Sequence, residues 1–466
     1  MNRAIIDYYR CPEDLARLVL DRALPEETGF FRYGSKAICY GRCSATIPAA
    51  HVTDHLYDVS PDVTLGPESV RVPFDLTSVI DNLRLERYMS SMNGQRSTAR
   101  RILQDTYYVL RPFAPSFIRR AAQRTYYRRW QSIPFPRWPV DYSVDQIFQN
   151  LLVSMLRSQP AATIPFIWFW PKGMSSCAVM THDVETARGR DFCSSVMDVD
   201  DSFGIKSAFQ VVPEGSYVVS DAFLAALRNR GFEINIHDLN HDGRLFRDKG
   251  TFFARAPRIN HYARQYGASG FRSGAMYRQP DWIRALDISY DMSVPNAAHM
   301  EPQRGGCCTV MPYFIGDILE LPLTATQDFA LFNVLRQDTC ELWKEEIDSI
   351  SAEHGLISFI IHPDYTLSAK AQQVYAGLLT YLCELRSNGK LWIALPREVN
   401  HWWRQRAQMR LFRRGGRWSI DGPDAGRAQI AYVRLVNNRL VYAFETAGKK
   451  DIERSSGRIV IQSNLG

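Results

Sequence analysis

Between residues 174 and 405 the chain alternates short apolar runs with longer amphipathic segments, and this alternation constrains the fold more than any other feature. The apolar runs have the length of strands, and the segments between them carry helix stop signals such as Gly231 and Gly389. Strands that alternate with helices predict a parallel sheet. Seven or eight of them predict an α/β fold, a distorted (β/α)7-8 TIM-like barrel that is closed or nearly closed. The candidate strands are residues 177–181, 207–212, 232–236, 269–272, 288–290, 318–321, 356–361 and 391–394.

The chain divides into three segments of different character. Residues 1–165 mix short alternating runs with helical patterns and predict an α+β extension, whereas residues 170–405 hold the predicted barrel. In residues 410–466 two strand patterns are joined by Asn437 and Asn438, which tolerate positive φ and predict a hairpin. This last segment is therefore predicted to be a small β-rich appendage.

Residues 107–142 form a basic aromatic arm, with seven arginines and five prolines among many aromatic side chains. One interpretation is a peripheral membrane or polyanion surface, because Arg, Tyr and Trp suit an interface between apolar and polar surroundings. The favoured interpretation is an ordered arm packed along the barrel, with its arginines solvated or paired.

Composition excludes several classes of function. The net charge of +7 is modest for 466 residues, and no recognition module accompanies the arginines, so no nucleic-acid partner is expected. The most apolar run, residues 164–171, is far shorter than the ~20 residues that cross a bilayer, so no transmembrane segment is expected. Acidic residues interrupt the N-terminal apolar pattern and the nine cysteines show no CxxC spacing. We therefore expect a cytoplasmic location, with attachment to the inner membrane face through residues 107–142 as the alternative.

Ionisable side chains follow three of the apolar runs, and parallel strands bring their C-terminal ends to one edge, where barrel enzymes build active sites. The residues concerned are His182, Asp183 and Glu185 after the first run, His237 and His241 after the third, and His362 after the seventh. Two histidines four apart are typical metal ligands. The pattern predicts a metal-dependent enzyme. A helical, metalloprotease-like histidine pair is disfavoured, because Asp238 stands where that motif needs glutamate.

Five strings resemble, in order, the motifs of the polysaccharide deacetylase superfamily, the NodB-like carbohydrate esterases that include chitin and peptidoglycan deacetylases. They are AVMTHDVE, HDLNH, GFRSGAMYR, DISYDMSVPN and SFIIHPDY, and they span about 190 residues in the central half of the chain. The resemblance implies the NodB homology domain as the barrel. It says nothing about the flanking segments.

The resemblance also implies a site. In the family a carboxylate and the two histidines of the second motif hold a divalent metal, usually zinc, with cobalt, nickel or manganese in some members. His237 and His241 match those histidines. The usual first motif has two consecutive aspartates, whereas here Val184 separates Asp183 from Glu185. By analogy Asp183 is the general base and Glu185 the ligand; the swapped roles, or Asp183 in both, remain open.

The other roles follow from the same resemblance. His362 is the acid that protonates the departing amine, since histidine titrates in the required range. Arg272 orients Asp183 and favours its ionised form. Asp291 orients His362 or Arg272, and His182 supports the site from outside the ligand shell. Arg272 and Asp291 are alternatively a plain structural ion pair.

The expected function is removal of an N-acetyl group from an amino sugar in a glycan or glycolipid precursor by a metal-dependent hydrolase. One alternative is hydrolysis of another carbon–nitrogen amide bond, as in allantoinase-like relatives. A second is a carbohydrate-binding or assembly protein whose barrel has lost turnover, because the first motif is irregular.

Overall fold

The computed structural model of the chain describes residues 2–15, 17–66, 69–92, 127, 130–159 and 163–444. Most of the basic aromatic arm predicted at residues 107–142 lies outside the described residues. The helices are α1 (Asn2–Tyr9), α2 (Leu76–Arg84), α3 (Met89–Met92), α4 (Ser143–Ser158), α5 (Ala187–Ser202), α6 (Asp221–Asn229), α7 (Lys249–Tyr266), α8 (Pro280–Ile283), α9 (Glu341–Ala352), α10 (Ala369–Ser387) and α11 (Pro396–Gln408).

The strands follow the candidate runs closely in the central segment. They are β1 (Leu18–Leu20), β2 (Gly29–Tyr33), β3 (Ala37–Gly41), β4 (Thr64–Leu65), β5 (Val70–Val72), β6 (Ile164–Ile167), β7 (Ser176–Val184), β8 (Ala208–Val211), β9 (Glu233–His237), β10 (Gly270–Arg272), β11 (Tyr290–Asp291), β12 (Tyr313–Ile315), β13 (Ile318–Glu320), β14 (Leu356–Ile360), β15 (Leu391–Ile393), β16 (Arg410–Arg414), β17 (Arg417–Asp421), β18 (Ile430–Val436) and β19 (Arg439–Phe444).

One large sheet positions the candidate site. Its strand order is β12-β13-β11-β10-β9-β8-β7-β14, and β15 pairs with the first residues of β7. All pairs are parallel except the edge pair β12 and β13. Every residue of β7, β8, β9 and β14 is buried, which explains why these strands read as continuous apolar runs.

The sheet is curled, and a short segment after β13 spans the gap to β14. Ala325 N donates to Ser358 O at 3.2 Å, and the Thr324 hydroxyl donates to Leu356 O at 2.7 Å. Helices pack against the outside of the sheet; α10, for example, buries Val374, Leu378 and Leu382. The prediction of a distorted, nearly closed α/β barrel is confirmed.

Glu346 of α9 fixes the next residue of this closing segment. Its buried carboxyl group bonds to Thr326 through both the backbone N and the hydroxyl. Burial raises the pKa of Glu346 to about 8. The folded protein therefore binds this proton more tightly than the unfolded chain does, so the contribution of Glu346 to stability is full below about pH 4.5 and lost as the pH rises through 8.

We expect Glu346→Gln to flatten the pH dependence of folding stability. In the wild type, a rise of one pH unit lowers the free energy of unfolding by up to about 1.4 kcal/mol through this group. The effect holds between the pKa of Glu346 in the unfolded chain and its pKa in the folded protein. Denaturant unfolding at pH 5 and pH 8 measures the difference. Glu345→Gln is the matched control, because the neighbouring side chain is exposed; an equal pH slope in wild type and Glu346→Gln would contradict the assignment.

The C-terminal segment contains the predicted hairpin. Strands β18 and β19 pair antiparallel on either side of Asn437 and Asn438, whose φ angles are 51° and 60°. In addition β18 pairs with β6, so residues 164–167 and 430–444 share a three-stranded sheet. The domain boundaries at 165, 170, 405 and 410 stay a prediction.

Three segments that are distant in the sequence meet at one buried guanidinium group. Arg406 of α11 donates to the carbonyl oxygens of Ile167 (2.7 Å), Trp168 (3.0 Å) and Tyr8 (2.9 Å). It is 1% exposed, so these carbonyl groups replace water as its partners. No helix within the described ranges has the length and apolarity needed to cross a bilayer.

Candidate active site

Three side chains that can bind a metal converge at the C-terminal edge of β7 and β9. Glu185 directly follows β7, His237 is the last residue of β9, and His241 lies four residues further on. One ligand atom from each lies within 4.8 Å of the others. The structure therefore brings together the three residues predicted as ligands.

The donor atoms of this set suit a divalent metal. His237 Nδ1 lies 3.2 Å from Arg272 O and donates to it, because a carbonyl oxygen can only accept; in the neutral imidazole the lone pair is therefore on Nε2. That Nε2 is buried without a hydrogen-bond partner in the described part of the chain, 3.7 Å from Asp183 Oδ2 and 3.8 Å from Glu185 Oε1. His241 Nε2 lies 2.9 Å from Glu185 Oε1. Two imidazoles and a carboxylate, with one imidazole held by a carbonyl group, fit a zinc-type site.

The loop that carries His241 is tightly shaped. Asp238 and His241 both adopt left-handed backbone conformations, with φ of 57° and 55°. Gly274 makes room for them, because a methyl group there would lie 2.5 Å from Asp238 Oδ2 and 3.0 Å from His241 Cδ2. This close approach accounts for the glycine in GFRSG.

Asp183 lies beside the ligand set and is held by Arg272. Arg272 Nη1 donates to Asp183 Oδ1 at 2.6 Å and to the Thr181 hydroxyl at 2.7 Å, and its Nε donates to Met292 O. Burial acts to raise the pKa of Asp183, but the charges of Arg272, His237 and His362 outweigh it and hold the pKa below its usual value. Asp183 is thus ionised, with Oδ2 left facing His237.

His362 faces the set from the end of β14. Its Nδ1 lies 2.7 Å from Asp328 Oδ1, and its backbone N donates to Asp328 Oδ2 at 2.6 Å. Its Nε2 points to Glu185 Oε1, 3.5 Å away. Burial acts to lower the pKa of His362, but Asp328 and Glu185 hold it well above the usual value.

Glu185 completes the charge balance. Burial acts to raise the pKa of its carboxyl group, but His241, His237 and His362 lower it well below the usual value. The spacing Asp183-Val184-Glu185 has a simple reason: residues two apart on a strand face the same side, so both acids point into the site while Val184 packs in the core.

His182 and Asp291 are located differently from the expectation. His182 is one residue before Asp183 and so faces the opposite side of β7, where its Nε2 lies 3.2 Å from Asp200 Oδ2 and its Nδ1 lies 3.1 Å from Ile361 O. Asp291 accepts from the Ser293 hydroxyl at 2.6 Å, and Glu320 is its acidic neighbour. Arg272 makes its ion pair with Asp183 instead.

Asp328, not Asp291, is the carboxylate at His362. Asp328 is 0% exposed and lies in the connection between β13 and α9, at the start of a helical turn. Sequence reasoning missed it, because this connection shows no periodic pattern and the contact depends on how the chain returns to β14. Its only signal was an acidic residue in the polar string TATQD.

Solved structures of other proteins are similar to this one over about half of the chain. A protein from Mycobacterium smegmatis described as a polysaccharide deacetylase has 16% sequence identity and a TM-score of 0.42, covering 51% of this chain and 93% of its own. One from Pseudomonas aeruginosa PAO1, also described as a polysaccharide deacetylase, has 13% sequence identity and a TM-score of 0.40. It covers 50% of this chain and 92% of its own. PuuE allantoinase has 12% sequence identity and a TM-score of 0.39, and it covers 50% of this chain and 92% of its own.

The sequence matches no protein-family model and no curated protein. Because the identities and TM-scores are low, function has to be inferred from the residues of the site.

Proposed function

We propose that this protein is a metal-dependent hydrolase that removes the N-acetyl group from an amino sugar in a glycan or glycolipid precursor. One observation carries the proposal: Glu185, His237 and His241 form a potential ligand set with Asp183 on one side and His362 on the other. Such a set, with a base and an acid within reach, is the arrangement that amide hydrolysis needs.

The proposed metal is zinc, with cobalt, nickel and manganese as alternatives, held by Glu185, His237 and His241. When bound there, a divalent metal polarises an acyl oxygen and makes water acidic. Glu185 is assigned as the ligand because its oxygen lies 2.9 Å from His241 Nε2, whereas Asp183 Oδ1 is already bound to Arg272. The same contacts support Asp183 as the base.

The chain's own residues supply the proton transfers. Asp183 accepts the proton of the attacking water at Oδ2, while Arg272 keeps the carboxylate ionised and correctly oriented. His362 donates from Nε2 to the leaving nitrogen, since Asp328 holds Nδ1 and fixes the ring. Acetate and a free amine are the products.

The proposal is tested by elemental analysis of the purified protein together with an assay for acetate and new amines. The substrates are N-acetylated glycans, nucleotide sugars and lipid-linked sugars, with allantoin as the comparison. Acetate and amine release from a sugar supports the proposal. Hydrolysis of allantoin alone favours the other amide class, and bound metal without any turnover favours a carbohydrate-binding protein.

Asp328 is proposed to position His362 and not to contact the substrate. We expect Asp328→Asn to lower kcat by about 100-fold or more, because the imidazole loses the charge that holds it in one orientation. KM and metal content stay near wild type, which separates positioning from general unfolding. Asp287→Asn is the control, since Asp287 is exposed and pairs with Arg264 at the surface; an equal effect in both variants would contradict the role.

A further inference from the structure

A groove of about 530 Å³ adjoins the candidate active site. This volume falls in the range of small-molecule sites. Tyr365 connects the two, because it lines the groove and its ring centroid lies 5.0 Å from that of His362. Asp364 also lines the groove, and it accepts from Thr186, the residue after Glu185, at 2.7 Å. A ligand that reaches His362 can therefore extend into the groove.

Three cationic side chains line this groove: Arg188, Arg336 and Lys370. All three are exposed, and Lys370 pairs with Asp338. Within the described ranges, neither Arg188 nor Arg336 has an ion pair or a hydrogen-bonded acceptor. Two arginines therefore offer their donors to whatever occupies the groove.

Within the described residues, the acidic side chains of the groove form no ion pair with these arginines. Asp338 is engaged by Lys370, and Asp364 by the Thr186 hydroxyl. Burial raises the pKa of Asp364. The positive charge of Arg188 acts in the opposite direction, but Arg188 does not hydrogen-bond to this carboxyl group. The planar donors of both guanidinium groups stay available for a bidentate contact.

Two of the cations occupy positions in the first turn of a helix that the helix dipole disfavours. Arg188 is the second residue of α5 and Lys370 the second residue of α10, and cations in the first turn oppose the helix dipole. Arg336 ends a π-helical turn, Ala330–Leu335, in a left-handed conformation with φ of 57°. Such turns occur often at functional sites, and this one also brings Phe332 to the groove.

We infer that the groove binds an anionic group, a phosphate or a carboxylate, carried by the amino-sugar substrate, and that Arg188 and Arg336 hold it. This rests on the proposed function for the identity of the sugar. Tyr365 and Phe332, which also line the groove, provide flat apolar faces for the sugar ring.

Calorimetric binding measurements on the intact 466-residue chain, purified with zinc added, test the inference. The probes are N-acetylglucosamine, its 1-phosphate, and N-acetylmuramic acid, which carries a carboxylate. At least one anionic probe is expected to bind about tenfold or more tightly than the neutral sugar, as charge-assisted hydrogen bonds allow. The double variant Arg188→Gln/Arg336→Gln should lose this preference.

Arg3→Gln/Arg22→Gln is the matched control, because it removes two charges from exposed arginines of the N-terminal segment. Preference for the phosphate or for the carboxylate identifies the source of the anion. Equal affinity for all three probes, no binding of either anion, or an unchanged preference in the groove variant would overturn the inference. Arginine-dependent anion binding without acetate release from any substrate would instead overturn the proposed function and leave the groove assignment standing.

Discussion

Asp183→Asn is expected to lower the rate of acetate release by about 10²- to 10⁴-fold, the range that a general base contributes. Asparagine keeps an oxygen for Arg272 but cannot take a proton from water. Metal content should stay at the wild-type level, because Asp183 Oδ1 is committed to Arg272 and the ligand set is Glu185, His237 and His241. The measurements are initial rates and elemental analysis of the same preparation.

Glu185→Gln is the informative companion to this variant. As the assigned ligand, it should lose bound metal and activity together. The opposite pattern, with metal lost in Asp183→Asn and kept in Glu185→Gln, would show that the two acids have swapped roles. Asp183→Asn also weakens a buried ion pair, and breaking such a pair costs about 3–5 kcal/mol when a charge is left alone. Unfolding curves of both variants therefore have to be recorded at the assay temperature.

His237→Asn is expected to reduce metal affinity by more than about 100-fold. That loss exceeds the largest effect usually seen when a residue that only hydrogen-bonds to a metal ligand is replaced. Asparagine can still donate to Arg272 O in place of Nδ1, so the strand end is preserved while the Nε2 lone pair is removed. Chelator competition measures the affinity. The rise in Tm on adding metal should disappear as well, because a ligand stabilises only the state that binds it.

His354→Asn is the matched control for that variant. His354 is also a buried imidazole whose Nδ1 donates to a carbonyl oxygen, that of Ser175 at 3.2 Å, but it is not part of the ligand set. It should lose some stability and keep the metal. Full metal content in His237→Asn would remove the basis of the proposed function.

The sequence predicted those features that depend on local pattern. Buried parallel strands read as apolar runs, and their ends pointed to Asp183, His237 and His362. Asn437 and Asn438 predicted the hairpin because few other residues adopt two successive positive φ angles. His182 was expected to support the site from outside the ligand shell; the two-residue period of a strand places its ring on the face opposite Asp183, where it contacts Asp200 and the carbonyl group of Ile361.

Features that depend on long-range pairing were not predictable in the same way. The pairing of β6 with β18 joins residues more than 260 positions apart, Ile167 with Ile430, and nothing local selects that partner. Asp328 reaches His362 because the segment after β13 bonds to β14. Sequence patterns describe which face of an element is buried, not which element covers it.

Arg406 has a consequence for any attempt to isolate the barrel. Its three carbonyl acceptors come from Tyr8 and from the stretch that contains Ile167 and Trp168, all outside residues 170–405. A fragment cut at those limits would discard the acceptors and the guanidinium group together, and would uncover apolar side chains such as Trp402 that now pack among N-terminal residues. The central half of this molecule therefore depends on its two flanks for solubility as well as for shape.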